Sequence, residues 1–298
     1  MKKISSILIY LFSYLLISGS SFAGPYTNDG IAGFVGDEVN PVFVGWATGY
    51  TNYTPFDLES IQNYQGGAYA DPDKTLGEVT GSGGDIASLG DMNADAIAAW
   101  QSDPINNPGP GEITLTFNNS IYNGDGYDFA VFENSFFTGD KLFAELGYVE
   151  VSTDGTNFVR FDSISLTEGL VGGYGAIDPT DVYNLAGKHP NNYGSSEGTG
   201  FDLNDLAENS LVLSGLVDLN DINYVKIVDI PGSGDFLDSE GNPIYDSWVT
   251  WGSGGVDLEA VGVINAVPIP GAVWLLSSGL LAVTGIRKRK MNKTRKDY

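Results

Sequence analysis

Two uncharged, apolar stretches, one at each terminus, decide which residues of this chain are left to build a folded body. At the front, Lys2 and Lys3 precede an uncharged run from Ile4 to Ile17, and small residues follow at Ser21 and Ala23. That order is the layout of a secretory signal peptide and predicts cleavage after Ala23 by signal peptidase. The run is too short to cross a bilayer, which takes about 20 apolar residues, and it lacks the polar stripe of a surface helix. At the back, Pro268 and Pro270 lead into an uncharged segment from Gly271 to Ile286, followed by the basic cluster Arg287, Lys288, Arg289 and Lys290. At about 1.5 Å per residue this segment reaches roughly 24 Å against a hydrocarbon core of about 30 Å. A transmembrane helix here therefore needs local thinning or snorkelling side chains. The basic end stays cytoplasmic, which leaves the preceding domain outside. Both ends predict a chain exported by the general secretion machinery and held, at least transiently, at the membrane by its C-terminal tail.

Between the ends, residues 24 to 266 carry every acidic residue of the chain except Asp297, opposed only by Lys74, Lys141, Arg160, Lys188 and Lys226. Such a surface repels nucleic acid and anionic headgroups, while dense carboxylates invite divalent cations. The chain has no cysteine, which excludes disulfides, thiolate metal sites and thiol nucleophiles. Its stability must come from an apolar core.

The pattern of that body is all-β. Ile113, Leu115 and Phe117 alternate with polar neighbours; Tyr127 to Phe132, Tyr224 to Ile230 and Val256 to Ile264 are rich in aromatic and β-branched residues. In YVEVSTDGTNFVRF, Val149 and Val151 alternate with polar residues, Asp154-Gly155 supplies a tight turn, and Phe158 and Phe161 lie on the returning strand. Helical periodicity is confined to Asp91–Trp100 and Asp202–Glu208. Short strands separated by Gly/Asn/Asp turns predict a β-sandwich or jelly roll. With no fixed-period repeat, the expected division is a signal peptide (1–23), one acidic extracytoplasmic domain (24–266) and a tail (267–298).

The tail VPIPGAVWLLSSGLLAVTGIRKRK resembles the PEP-CTERM class of sorting signals in its VPLP-type variant, with Val267, Pro268, Ile269, Pro270 and Gly271 as the proline motif and Arg287 to Lys290 as the basic end. Ile269 stands where the name-giving motif has glutamate. The resemblance implies an exosortase-type processing enzyme as partner and a place at the cell envelope, cell surface or extracellular matrix. The segments SLGDMNADAIAAW, YVEVSTDGTNFVRF, INYVKIVDI and GGVDLEAVGVIN resemble an uncharacterised surface domain that often precedes such tails, itself similar to discoidin-like, galactose-binding-like jelly rolls. That likeness speaks for architecture more than activity.

A catalytic constellation is not legible. Gly194-Ser195-Ser196-Glu197-Gly198 matches the nucleophile-elbow spacing, but no apolar strand leads into it, and the sole histidine, His189, lies upstream instead of downstream. His189 itself, in GKHPNN, reads as a surface residue. Paired carboxylates for a glycoside hydrolase are abundant without being marked. Asp91-Met-Asn93-Ala-Asp95 opens like a calcium loop, yet Ala96 and Ser102 stand where an EF-hand needs glycine and glutamate. A better calcium candidate is DFLDSEGNPIYD, with Asp238, Glu240, Asn242 and Asp246; by likeness to calcium-stabilised jelly rolls, Asp257 joins them. Aromatic residues in predicted loops, Trp46, Tyr50, Tyr53, Trp248 and Trp251 among them, suit sugar stacking, with Trp248 and Trp251 foremost. The leading expectation is a non-enzymatic surface or matrix-associated protein. The alternative is a calcium-assisted module binding exopolysaccharide, and the remaining one a polysaccharide hydrolase.

Overall fold

The computed structural model describes residues 24–267, so the expected signal peptide with Ala23 and the expected sorting tail from Pro268 to Tyr298 lie outside the described residues. Eleven strands build two antiparallel sheets: β1 (Ile31–Ala32), β2 (Gly45–Trp46), β3 (Gly49–Thr54), β4 (Ala87–Ser88), β5 (Glu112–Ile121), β6 (Phe129–Glu133), β7 (Gly147–Ser152), β8 (Val159–Arg160), β9 (Glu197–Phe201), β10 (Ile222–Asp229) and β11 (Asp257–Val263). The first sheet runs β1-β9-β6-β11-β2, with β4 also on β11; the second runs β8-β7-β10-β5-β3. Among the described residues the helices are short, the longest being Ala94–Ser102. It starts where the Asn93 side chain accepts a hydrogen bond from Ala96 N, satisfying one of its free amides. Among the described residues no helix is long and apolar enough to cross a membrane.

The period-2 alternation of the strands decides what each face meets. Phe129 and Val131 of β6, Val261 and Val263 of β11, Ile113 and Leu115 of β5, Val149 and Val151 of β7, and Val225 and Ile227 of β10 point inward and form one apolar cluster between the sheets. Phe129, Phe161 and Phe201 meet there with ring centroids 5.0 to 6.0 Å apart. Truncating such a ring to alanine costs about 3–5 kcal/mol. The other face of β6 and β11 is covered as well, because Ala130, Phe132 and Ala260 pack under Phe43 and Val79 with Trp46 against them. Burial on both faces is why these two strands read as nearly continuous apolar runs.

Two local expectations need correction. The β7–β8 hairpin forms, pairing Glu150 with Arg160 and Val151 with Val159, but its connection is a wide loop. The Asp154 carboxylate accepts from Thr156 N and Asn157 N, each at 2.8 Å, and Gly155 takes φ +74°, so the chain makes an extra turn before returning. Trp46, Tyr50 and Tyr53, predicted in loops, lie in β2 and β3. Trp46 packs on Phe43 and Phe132, and Tyr53 donates its hydroxyl to Ser88 O at 2.8 Å.

Candidate functional site

Two regions of the domain concentrate chemistry. The first is an open groove of about 690 Å³ on the outer face of the second sheet. The residues of β7 that point away from the core, Tyr148 and Glu150, form its floor with Lys226 and Val228 of β10. Trp100, at the end of the Ala94–Ser102 helix, and Phe236, from the connection after β10, stack with centroids 5.7 Å apart and form an aromatic wall. Glu150 takes Nε and Nη2 of Arg160 on Oε1 at 2.9 and 2.7 Å and Lys226 Nζ on Oε2 at 2.9 Å. These are the ion pairs found among the described residues. Arg160 also lies 3.9 Å from the Tyr148 ring centroid, a cation–π geometry. Burial acts to raise the Glu150 pKa, but the hydrogen bonds and charges of Lys226 and Arg160 outweigh it and hold the carboxyl below its ordinary value.

The second region is one end of the sandwich, where β6 and β10 finish and β7 and β11 begin. Glu133 closes β6, Asp229 closes β10, Glu145 precedes β7 and Asp257 opens β11; Asp91 and Asp246 arrive on loops. Glu133, Asp229, Asp246 and Asp257 are each no more than 3% exposed. Thr250 Oγ1 lies 2.6 Å from Glu145 Oε1 and 3.2 Å from Asp91 Oδ2. Val256 N donates to Asp229 Oδ1 at 2.8 Å, Asp257 N to Glu133 Oε1 at 3.3 Å, and Leu146 N to Asp246 Oδ2 at 2.6 Å. Desolvation pushes Asp91 and Glu133 up to about 7. It drives Glu145, Asp229, Asp246 and Asp257 well above the carboxylate range, with the negative charge of their neighbours adding to it. Asp91 Oδ1, Asp229 Oδ2, Asp257 Oδ1 and Asn134 Oδ1 are buried with no hydrogen-bond partner. Asp229 also lines the groove, so the two regions touch. Among the described residues, no three acidic or imidazole side chains already stand as a closed ligand set for a metal.

The structure divides the residues singled out in the sequence. Asp246 and Asp257 belong to the acidic end. Asp238 does not: its carboxylate accepts from Glu240 N, Asn242 N, Asn242 Nδ2 and Ser165 N at 2.8 to 3.0 Å. Burial would raise its pKa, but these bonds hold it low. Asp238, Glu240 and Asn242 thus form a self-satisfied turn away from the acidic end. Trp248 is half-buried and donates Nε1–H to Met92 O at 2.8 Å, tying its loop down. Trp251 is 73% exposed and borders a cavity of about 110 Å³ with Asp91, Asn93 and Thr250. Val267 donates its amide to Ser120 O at 2.8 Å. His189 is buried, contrary to the surface placement expected from its loop: Nδ1 lies 3.0 Å from Thr199 Oγ1, and burial with the adjacent Lys188 charge lowers its pKa to about 3.

Sequence reasoning missed Trp100, Phe236 and the Glu150 cations, and missed Glu133, Glu145 and Asp229 as members of the acidic end. A signal for the last group exists: in FAVFE, IVD and VDLEAV an acid interrupts or ends an apolar strand, a place where a charge has no reason to be unless something meets it. No protein-family model matches the chain, and no curated protein matches it.

Proposed function

We propose that this chain is an exported, non-enzymatic protein of the cell surface or extracellular matrix, sorted through its C-terminal tail, whose jelly-roll-type β domain binds saccharide. The first part rests on the two ends of the sequence: Lys2 and Lys3, the uncharged run Ile4–Ile17 and Ala23 at the front support a cleaved leader, and Pro268, Pro270, the uncharged segment Gly271–Ile286 and the basic cluster at the back support a transmembrane helix read by an exosortase-type enzyme. Among the described residues, the span between them supplies two sheets with their own apolar clusters. Deleting residues 267–298 is expected to release the protein from the envelope fraction, and unchanged fractionation would refute the assignment. Intact mass of the protein from its native cells reports cleavage after Ala23 and any processing at the Val267–Gly271 motif.

Saccharide binding rests on the groove. A sugar presents an apolar face for stacking and a rim of hydroxyls for hydrogen bonds. Trp100 and Phe236 offer the first contact, and Glu112, Arg160 and Lys226 line the same space and offer the second. The predicted outcome on an exopolysaccharide array is retention of the wild type and at least tenfold weaker binding by Trp100→Ala, equal to about 1.4 kcal/mol. A flat array removes the reading. The calcium-assisted version of this function is favoured by Asp229, which lies both in the groove lining and among the unpartnered carboxylates.

A further inference from the structure

We propose that the acidic end of the sandwich binds a hard divalent cation of the calcium class through the unpartnered oxygens of Asp91, Asp229, Asp257 and Asn134, with Glu133 and Glu145 adding charge. The proposal does not depend on what occupies the groove.

Elsewhere the domain satisfies its buried acids completely. Asp128, fully buried, accepts from Gly124 N, Leu203 N and Asn265 Nδ2 at 2.7 to 2.8 Å. Glu259, 2% exposed, accepts from Thr80 N, Thr80 Oγ1, Gly81 N and Asn191 Nδ2. At the acidic end three carboxylates each keep one buried oxygen without a donor, and neither ion pair of the described residues reaches it. A buried charge left uncompensated costs several kcal/mol, so a fold that closes over this many acids must either hold protons on them or draw positive charge from outside.

The surroundings select the ion. The donors are carboxylate, amide and carbonyl oxygens, which suit calcium or magnesium and not the softer metals. A set that mixes carboxylates with the Asn134 amide oxygen suits the irregular oxygen shell of calcium better than the near-ideal octahedron of magnesium. A small cavity bordered by Asp91, Thr250 and Gly254 reaches the Asp91 side of the cluster. Gly255, at φ +70°, keeps the backbone close: a Cβ there would come within 2.7 Å of both Asp229 Oδ1 and Gly90 O.

The test is the melting temperature of the full-length protein, stripped with chelator and titrated with calcium chloride. At a hundredfold excess over Kd the expected rise is roughly 5–10 °C, with a smaller response to magnesium. Asp229→Asn and Asp257→Asn should melt no lower than the wild type in chelator and should lose the calcium response. If either variant fails to fold, the calcium retained by the wild type after equilibrium dialysis, measured by elemental mass spectrometry, decides. Trp100→Ala should keep the full calcium response, which separates this proposal from the groove. Wild-type melting indifferent to millimolar calcium, with no ion retained, would overturn it; a melting point that follows pH but not calcium would mean that protons neutralise the cluster, and would overturn it equally.

Discussion

Glu150 and Asp229 stand on neighbouring strands of one sheet, and both are buried. Glu150 lies opposite Lys226 and opposite Arg160 in the two flanking pairings, so the register that builds the sheet also delivers both countercharges. Asp229 lies opposite Gly147, which has nothing to deliver. Its carboxylate receives one backbone amide and keeps one bare oxygen. The pairing itself completes the first position, whereas the second needs a proton on its carboxyl or a cation from outside. For these two strand acids, the residue facing each across the sheet decides whether its charge is met.

The sharpest way to break that contrast is to strip Glu150 of its partners. Arg160→Met with Lys226→Met keeps much of the side-chain volume and leaves a buried, unpaired carboxylate. The expected loss is about 3 kcal/mol in urea unfolding, the lower end of the range for a buried pair because the Arg160 side chain is 45% exposed, and it should be unaffected by calcium. A loss below about 1 kcal/mol would make the pair an ordinary surface one and erase the difference between the two sites.

A pH series on the chelated protein sharpens it next, because the two kinds of acid bend the profile in opposite directions. Glu133 and Asp91 have folded pKa values raised to about 7. Their penalty is absent below their ordinary values and grows as pH rises from about 4.5 to 7. Glu150 is lowered, so its contribution is present above its ordinary value and is lost as pH falls below it. Chelated protein should be most stable near pH 5. Glu133→Gln should remove about 2–3 kcal/mol of the decline on the alkaline side, while Glu150→Gln should flatten the acid side. A profile that climbs steadily from pH 5 to 8 would contradict the assignment of the raised groups.

These positions differ in how visible they were in the sequence. The strands were legible because each carries its own pattern: Ile113 and Leu115 alternate into the core, and β6 and β11 are apolar on both faces because both are covered. The wide β7–β8 connection was not, since Asp154-Gly155 alone suits a two-residue turn and the Asp154 carboxylate's capture of two further amides depends on loop geometry. The sequence groups Asp246 with Asp238 by closeness, and Asp257 with them by likeness to calcium-stabilised jelly rolls. The fold instead gathers Asp246 and Asp257 with Asp91, Glu133, Glu145 and Asp229, because four strand ends converge there, and leaves Asp238 to organise its own turn. His189 looked exposed because its loop is polar; burial came from packing that no local pattern records. Trp100 was legible as a helical residue, but its pairing with Phe236 depends on two distant connections crossing one face of the sheet.

The smallest test concerns Thr250, which touches the comparison at one proton. Its hydroxyl lies within reach of Asp91 Oδ2 and Glu145 Oε1 and already accepts from Gly255 N at 3.1 Å. A hydroxyl has one proton to give, so it can serve as donor to only one of these two acids. Glu150 suffers no such shortage, having three N–H donors for two oxygens. Thr250→Val removes the shared proton and Gly255's acceptor at near-equal volume, and should cost about 1 kcal/mol in thermal unfolding, whereas Thr250→Ser should cost much less. If calcium is present and bound, the Val variant should lose less, because the ion then carries the charge that the hydroxyl can only half-neutralise; equal losses with and without calcium would place Thr250 outside the cation's reach.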